Sequence, residues 1–305
     1  MTTQADLKHV RVSVMNAIHD LAVFVARDEG LFRDEGLDLE IVNTPGTAQV
    51  AADRRAMRDV IFDRTMESLY NAGDVDQYRM CEWGVMKRTV EAAQCGQRPS
   101  KIVALGAAMS KMAIITAPAG PIYEPEQLKD KPVAVSPFNG SHFTTLKMLE
   151  GFIKKEHIKV VNAGTMRERL DAVRKGEVAA GNFFEPWISV AQKHGFRILM
   201  ESHSTRSEAA SDNLDGPTLA AMFRAEARAS EMINQNPGPY THYLLTEAQG
   251  LLEPHELQTW RLLYGPPMPY TRARFEATYE WMLSYPELVA PDATYETVVD
   301  NRAWT

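Results

Sequence analysis

The features that the sequence lacks exclude several classes of protein. It contains no run of about 18 apolar residues, so no membrane-spanning helix is predicted. Basic residues are not in excess, because the formal net charge is −7, whereas nucleic-acid binding depends on basic patches. The only two cysteines, Cys81 and Cys95, cannot form a disulfide framework and leave at most one bridge. We therefore predict neither a nucleic-acid partner nor membrane insertion.

Several catalytic and metal-binding motifs are also missing. The chain contains no dinucleotide-binding Gly-x-Gly-x-x-Gly, no phosphate-binding loop, no Gly-x-Ser-x-Gly and no His-Glu-x-x-His. The eight histidines are scattered, and no cysteine and histidine spacing fits structural zinc. We predict neither a cofactor nor a metal.

The start of the chain does not resemble a secretory signal. It reads MTTQADL, and the first apolar stretch, residues 10–15, alternates with polar residues and breaks at Asn16. A secretory signal needs a basic start and an apolar region of about 7–15 residues. The expectation is a cytoplasmic location; the alternative is a periplasmic location with a signal that has been removed.

The residues that are present predict two α/β lobes. The chain has 305 residues, of which 45% are hydrophobic and 24% charged, and this is enough for two packed cores. Strands alternate with helices twice, on either side of a Pro- and Gly-rich segment at residues 118–125, and such alternation favours mostly parallel sheets. Strands are predicted at 10–15, 37–42, 77–81, 102–105, 112–117, 133–136, 158–161, 178–183 and 196–200. Helices are predicted at 21–32, 48–72, 83–93, 141–153, 166–174 and 186–194, with an irregular stretch at 202–216 and mostly helix from 217.

The first candidate site residue follows the first predicted strand. In open α/β sheets ligands bind beyond the carboxyl ends of the strands, and two facing lobes would place those ends in one cleft. His19 is expected at the end of the strand, with Asp20 as the N-cap of the next helix. His19 would bond the ligand or transfer a proton, or else serve only as a surface or capping residue.

The turn after the strand at 77–81 carries three reactive side chains. Cys81, near a helix N-terminus, could be a nucleophile, and Glu82 an acid or base. Trp83 could stack on a ligand ring. The alternative is structural, with a buried cysteine, a core tryptophan and Glu82 as a charge in the first helical turn.

The turn after the strand at 133–136 predicts an anion site. Asn139 and Gly140 form the turn, and Asn139 or Ser141 would cap the helix that follows. The free N–H groups of a helix N-terminus suit a carboxylate, sulfonate or phosphate, and His142 would add a donor beside Phe143. The alternative is a capped helix that binds nothing.

A fourth turn follows the strand at 178–183. It contains Phe184, Glu185 and Trp187, with Pro186 at the first helical position. The aromatic side chains would face the cleft or the core of the lobe, and Trp187 in the cleft would favour a planar ligand.

The order of these motifs resembles a known family. Residues 21–42, LAVFVARDEGLFRDEGLDLEIV, resemble the opening L-A-x-x-x-G-x-F-x-x-x-G-L-D-V-E of nitrate/sulfonate/taurine-type substrate-binding proteins. Residues 81–84 stand where that family has its first-lobe ligand loop. Residues 140–142 resemble its G-S-x-x-H helix start, without the usual spacer.

The resemblance extends toward the end of the chain. Residues 176–186 resemble the G-x-V-D-A-…-P strand and loop of the family, with Ala180 where Asp is usual, and residues 279–300 resemble its closing helix and V-V-D. The superfamily includes the thiamine pyrimidine synthases, whose cysteine-rich signature is missing here. The resemblance implies the type II periplasmic-binding-protein fold, with a first lobe at 1–110 and 215–305 and a second lobe at 111–214.

Two functions follow from this resemblance. The same fold serves cytoplasmic enzymes such as an aromatic sulfinate desulfinase and a dihydroxyphthalate decarboxylase, and we narrowly favour an enzyme that cleaves a C–C or C–S bond of an aromatic or heteroaromatic acid. Its anionic group would rest on the helix start at Ser141, while Glu82, His19 or Cys81 would manage the proton. The alternative is a receptor that delivers a sulfonate-, nitrate- or pyrimidine-type solute to the permease of an ABC importer. The oligomeric state is left open between monomer and homodimer.

Overall fold

A computed structural model describes residues 7–43, 65–289 and 291–305 of the protein. Eight strands of these residues form one sheet in the order β2-β1-β3-β8-β4-β7-β5-β6. The strands are β1 Lys8–Val12, β2 Leu37–Ile41, β3 Gln77–Cys81, β4 Lys101–Thr116, β5 Pro132–Val135, β6 Lys159–Asn162, β7 Ala180–Phe183 and β8 Arg197–Ala210.

Eleven α-helices lie in the described part of the chain. They are α1 Ala17–Asp28, α2 Leu31–Asp34, α3 Thr65–Ala72, α4 Glu82–Cys95, α5 Gly140–Leu149, α6 Met166–Arg174, α7 Trp187–Lys193, α8 Gly216–Gln235, α9 His242–Glu247, α10 Arg272–Leu283 and α11 Tyr295–Val298. Short 3₁₀ turns connect several of them. None of the helices in these residues has the length and apolar character needed to cross a membrane.

The sheet consists of two parallel groups joined by an antiparallel pair. β1 pairs in parallel with β2 and β3, and β5 pairs in parallel with β6 and β7. Between these groups, β4 and β8 run antiparallel to each other over almost their whole length. β3 pairs with residues 206–210 of β8, and β7 pairs with residues 113–116 of β4. We call β1, β2 and β3, with residues 101–105 of β4 and 206–210 of β8, the first half, and β5, β6 and β7, with residues 113–116 of β4 and 197–201 of β8, the second half.

The middle of the β4–β8 pair forms the junction between the halves. The register of the pair shifts between Leu105 and Met109 of β4, so the regular ladder is interrupted there. A glycine, Gly106, lies in this interruption, and a Cβ atom on it would clash with the carboxylate of Glu208. β4 and β8 are therefore the continuous connections between the halves, and their least regular part lies at the junction.

The buried apolar residues form two clusters, one on each face of the sheet. Successive side chains of a strand point to opposite faces, so Val103 of β4 and Ala134 of β5 belong to one cluster, while their neighbours Ile102 and Val133 belong to the other. The first cluster includes side chains of α1, α7 and α8, and the second includes side chains of α4, α5 and α10. Both clusters contain residues from both halves.

The structure confirms the predicted α/β fold class and corrects several elements. The predicted strands at 102–105 and 112–117 are one strand, because Ser110 and Lys111 pair with Ser204 and His203 of β8 and make no turn. The stretch 202–216 was predicted to be irregular, but its residues 202–210 belong to β8. Of the helix predicted at 48–72, residues 48–64 lie outside the described residues.

Candidate functional site

The first candidate element is the start of α1. The helix begins at Ala17, so His19 lies in its first turn. The prediction that His19 lies at the end of a strand is therefore wrong. Asn16 is the N-cap, since its Oδ1 accepts the backbone N–H of His19 at 3.1 Å. The prediction that Asp20 caps the helix is wrong: its carboxylate accepts the N–H groups of Met15 and Asn16, at 2.6 and 3.0 Å.

His19 lies between the two halves of the sheet. Its ring contacts the ring of Phe184 from the second half edge-on, with centroids 5.2 Å apart. The side chain is 3% exposed, and its Nδ1 lies 2.5 Å from Oδ1 of Asn16. Burial, and secondarily the charge of Arg206, hold the pKa of His19 well below 6.5. The histidine is therefore neutral at pH 7.

The second element is the start of α5, where the cap prediction is confirmed for Asn139. Its side chain accepts the N–H of Gly140. Ser141 closes the preceding turn, because its hydroxyl accepts the N–H of Ser136 at 2.9 Å. The Nδ1 of His142 accepts the N–H of Phe138 at 3.1 Å, and this hydrogen bond stabilises the turn. The turn is therefore built by the side chains that follow it.

Arg206 of β8 meets the start of α5, and sequence reasoning did not identify it. The side chain is 1% exposed, and a Cβ atom on Gly140 would clash with its Nη1 and lie 3.1 Å from its Nη2. A guanidinium thus lies against the positive end of a helix. Both groups favour an anion between or beside them, because a helix N-terminus and an arginine fork each donate to carboxylate, sulfonate or phosphate oxygens.

A cluster of buried charges lies on the α1 side of this site. Arg79 is paired with Glu208 at 2.8 Å, Glu226 at 2.6 Å and Asp20 at 3.6 Å, and all four side chains are at most 2% exposed. Burial raises the pKa of Glu208 to about 8, against the opposing effect of Arg79. It also raises the pKa of Asp20, which the charges of Arg79 and Arg206 both lower in part. Asp20 therefore connects the cluster electrostatically to Arg206.

Glu82, the predicted acid or base, accepts hydrogen bonds from other side chains of the protein. Arg274 of α10 donates to both carboxylate oxygens at 2.9 and 3.0 Å, and the hydroxyl of Tyr270 donates to one of them. Arg274 also donates to Oγ1 of Thr205 at 2.7 Å, so the pair joins α4, α10 and β8. These contacts give both carboxylate oxygens of Glu82 a partner within the protein.

We expect Glu82→Gln to lower the free energy of unfolding by about 1–2 kcal/mol while leaving ligand affinity unchanged. The amide cannot accept both Arg274 bonds, and the loss is modest because Arg274 is partly exposed. Urea denaturation and ligand titration of the same preparation measure both quantities. Glu91→Gln on the same helix is the control, since its partner Lys87 offers only an i,i+4 pair worth about 0.3–0.5 kcal/mol. Lost affinity at unchanged stability would restore the functional role predicted for Glu82.

Cys81 and Trp83 lie at the base of the same turn. Cys81 is fully buried and stands opposite Arg206 in the β3–β8 ladder, so the thiol lies beside the candidate anion site. Trp83 stacks on Phe143 with centroids 5.5 Å apart, and Trp281 meets it edge-on at 6.2 Å. Trp83 and Phe143 therefore contact each other across the two halves.

The turn after β7 carries the last predicted residues. Phe184 contacts His19, as described, and Trp187 is 3% exposed within the first apolar cluster. The carboxylate of Glu185 is paired with Arg261 at 3.3 Å and accepts the N–H of Ser189, and burial raises the pKa of Glu185 to about 6. Only Phe184 of these three has a described contact with the candidate site.

Arg206 thus lies against Gly140, stands opposite Cys81 in the ladder and acts electrostatically on His19, whose ring contacts Phe184. In the described residues no three His, Cys, Asp or Glu side chains come together to hold a metal ion. The assembled groups can bind an anion at Arg206 and a polar group at His19.

The chain is similar in structure to several solved binding proteins. The periplasmic aliphatic sulphonate-binding protein of Escherichia coli matches with a TM-score of 0.71 and 15% sequence identity, over 96% of this chain and 92% of that one. The alkanesulfonate-binding protein of Xanthomonas axonopodis pv. citri, solved bound to MOPS, matches with a TM-score of 0.67 and 13% identity over 96% of each chain. The periplasmic nitrate-binding protein of Synechocystis PCC 6803 matches with a TM-score of 0.68 and 11% identity, over 98% of this chain and 88% of that one.

No protein-family model and no curated protein sequence matches the chain. The likeness to the solved structures extends over nearly the whole length at 11–15% identity, and at that level it is a likeness of fold. The protein therefore has the two-lobed periplasmic-binding-protein fold of the sulfonate- and nitrate-binding proteins, which confirms the resemblance seen in the sequence.

Proposed function

We propose that the protein is a solute receptor that closes on a small anion, with sulfonates as the first candidates, and delivers it to an ABC importer. The observation that carries the proposal is the buried guanidinium of Arg206 against the N-terminus of α5. Two positive groups in that position are stabilised by an anion that accepts from both. The start of α5 is the anion site predicted from the sequence, and Arg206 adds the charge that the prediction lacked.

The contacts of the predicted catalytic groups support binding over bond cleavage. Glu82 is engaged by Arg274 and Tyr270, which leaves it poorly placed as an acid or base. The lowered pKa of His19 makes it a weak base at neutral pH. The similar solved structures named above are binding proteins, and those of Escherichia coli and Synechocystis are periplasmic. The proposal therefore carries a periplasmic location in place of the cytoplasmic one expected from the sequence.

One observation favours a second candidate function, the cleavage of a bond in the same ligand. Cys81 stands opposite Arg206 in the ladder, where a thiolate would be next to a cation. The side chain is fully buried, so any reaction would take place inside the closed molecule. Chemical recovery of the ligand after binding separates the two candidates.

Titration calorimetry of the protein at pH 7.5 tests the proposal. The panel comprises ethanesulfonate, 2-hydroxyethanesulfonate, MOPS, benzenesulfonate, benzoate, 4-hydroxybenzoate and nitrate. We expect at least one organic anion to bind with a Kd of about 10 μM or below, near −7 kcal/mol, and to be recovered unchanged. Failure of every anion to bind would contradict the receptor proposal, and conversion of a bound anion would favour the second candidate.

A further inference from the structure

The hydrogen-bonding role of His19 is determined by its own N-cap. Oδ1 of Asn16 accepts the backbone N–H of His19 at 3.1 Å, and this contact identifies the atom as the amide oxygen. The same oxygen lies 2.5 Å from Nδ1 of the His19 ring. Two acceptors cannot bond to each other, so Nδ1 carries the hydrogen. In the neutral ring Nε2 then has a lone pair and is an acceptor.

This acceptor is buried and has no hydrogen-bond partner among the described residues. His19 is 3% exposed, and Phe184 covers the ring from the second half. A buried acceptor without a donor costs free energy, which a ligand or a water can recover. Protonation of Nε2 does not recover it at neutral pH, because burial and the charge of Arg206 keep the pKa of His19 well below 6.5.

We infer that the ligand carries, apart from its anionic group, a hydroxyl or N–H group that donates a hydrogen bond to Nε2 of His19. The inference rests on the proposed function, since it assigns the second end of a ligand whose anionic end lies at Arg206. It names the substrate class as hydroxylated or N–H-bearing organic anions. Nitrate and unsubstituted alkanesulfonates have no donor for His19 and are the poorer ligands.

Matched pairs of anions test the inference on the unmodified protein. The pairs are 2-hydroxyethanesulfonate against ethanesulfonate, and 4-hydroxybenzoate against benzoate, each measured by titration calorimetry at pH 7.5. We expect the hydroxylated member of at least one pair to bind about ten- to a hundredfold tighter, because a site with a buried acceptor discriminates against the analogue that leaves it unpaired.

Substitution of His19 locates the discrimination. His19→Phe retains a ring against Phe184 and removes the acceptor, so we expect the preference within the pair to fall to about onefold. His19→Gln retains an acceptor oxygen and is expected to keep part of the preference. His157→Phe, at a partly exposed histidine paired with Asp130, is the control and should keep all of it. Thermal unfolding of each variant without ligand checks that it is folded.

The possible outcomes distinguish failure of this inference from failure of the proposed receptor function. Equal affinity within both pairs in the unmodified protein overturns the inference, while the receptor function stands if the anions bind. A preference that survives His19→Phe also overturns it, because another group must then accept the hydroxyl. Failure of these four anions to bind overturns the inference while the receptor function stands if another anion of the panel binds, and failure of the whole panel overturns both.

Discussion

Arg206→Met is expected to lower the affinity for the best-binding anion by about a hundredfold or more. Removing one partner of a buried pair of charges costs about 2–5 kcal/mol, since the anion keeps its desolvation penalty and loses its counter-charge. Methionine fills a similar volume without donors. Titration calorimetry with the tightest anion of the panel measures the loss, and urea denaturation without ligand keeps it apart from unfolding.

Two further variants make this result specific to the position of Arg206. Arg169→Met removes an equally buried guanidinium, which donates to the carbonyl of Asn182 at 2.5 Å, and should leave affinity unchanged. Gly140→Ala adds a Cβ that clashes with Nη1 of Arg206, so it should weaken binding by displacing the guanidinium. Equal losses from Arg206→Met and Arg169→Met would mean that the anion does not bind at α5.

Arg79→Met is expected to lower the free energy of unfolding by about 3–5 kcal/mol at pH 8. It leaves Asp20, Glu208 and Glu226 buried without their shared cation, and an uncompensated buried charge is strongly destabilising. Arg169→Met is again the matched control, because burial already lowers the pKa of Arg169 to about 10 and its removal leaves no carboxylate unpaired at that position. The control should lose clearly less stability.

The pH dependence gives a second readout of the same cluster. Burial raises the pKa of Glu208 to about 8, above the value of about 4.5 in the unfolded chain, so the folded state binds more protons between these values. Stability from this group is present at low pH and is lost as the pH rises toward 8. Loss of Arg79 raises the pKa values of the buried carboxylates further. The loss of unfolding free energy in Arg79→Met should therefore become smaller as the pH falls from 8 to 5. Urea denaturation at both pH values measures it, and a constant deficit would contradict the account.

Sequence periodicity predicted most of the fold because most strands are short and apolar. The strand Gln77–Cys81 and the helix Met166–Arg174 were predicted with the bounds observed. Residues 202–210 of β8 were missed because their buried positions include the polar residues Ser204, Arg206, Ser207 and Glu208, a composition typical of an exposed loop. Their burial comes from partners on β3 and β4 far away in the sequence, which no local pattern contains.

The candidate site was also predicted only in part, because local sequence patterns reveal the ends of strands but not distant partners. The turns that contain His19, Gly140 and Phe184 were identified because each follows a strand, and the structure brings His19 against Phe184 and Gly140 against Arg206. Arg206 was missed with the strand that carries it. The occupation of Glu82 by Arg274 was also invisible, since 192 residues separate the pair. Residues that act from the end of a strand are thus found more easily than residues that act from its middle.

The two apolar clusters have a consequence for the rate of ligand entry. Each cluster contains side chains from both halves of the sheet, and the contacts Trp83–Phe143 and His19–Phe184 join the halves beside the site. Separating the halves exposes part of this apolar surface to water, which is unfavourable. These contacts therefore contribute to the stability of the closed form whether or not a ligand is bound. If they keep the molecule closed without a ligand, the observed association rate saturates at high ligand concentration, because opening of the molecule and not diffusional encounter then limits it.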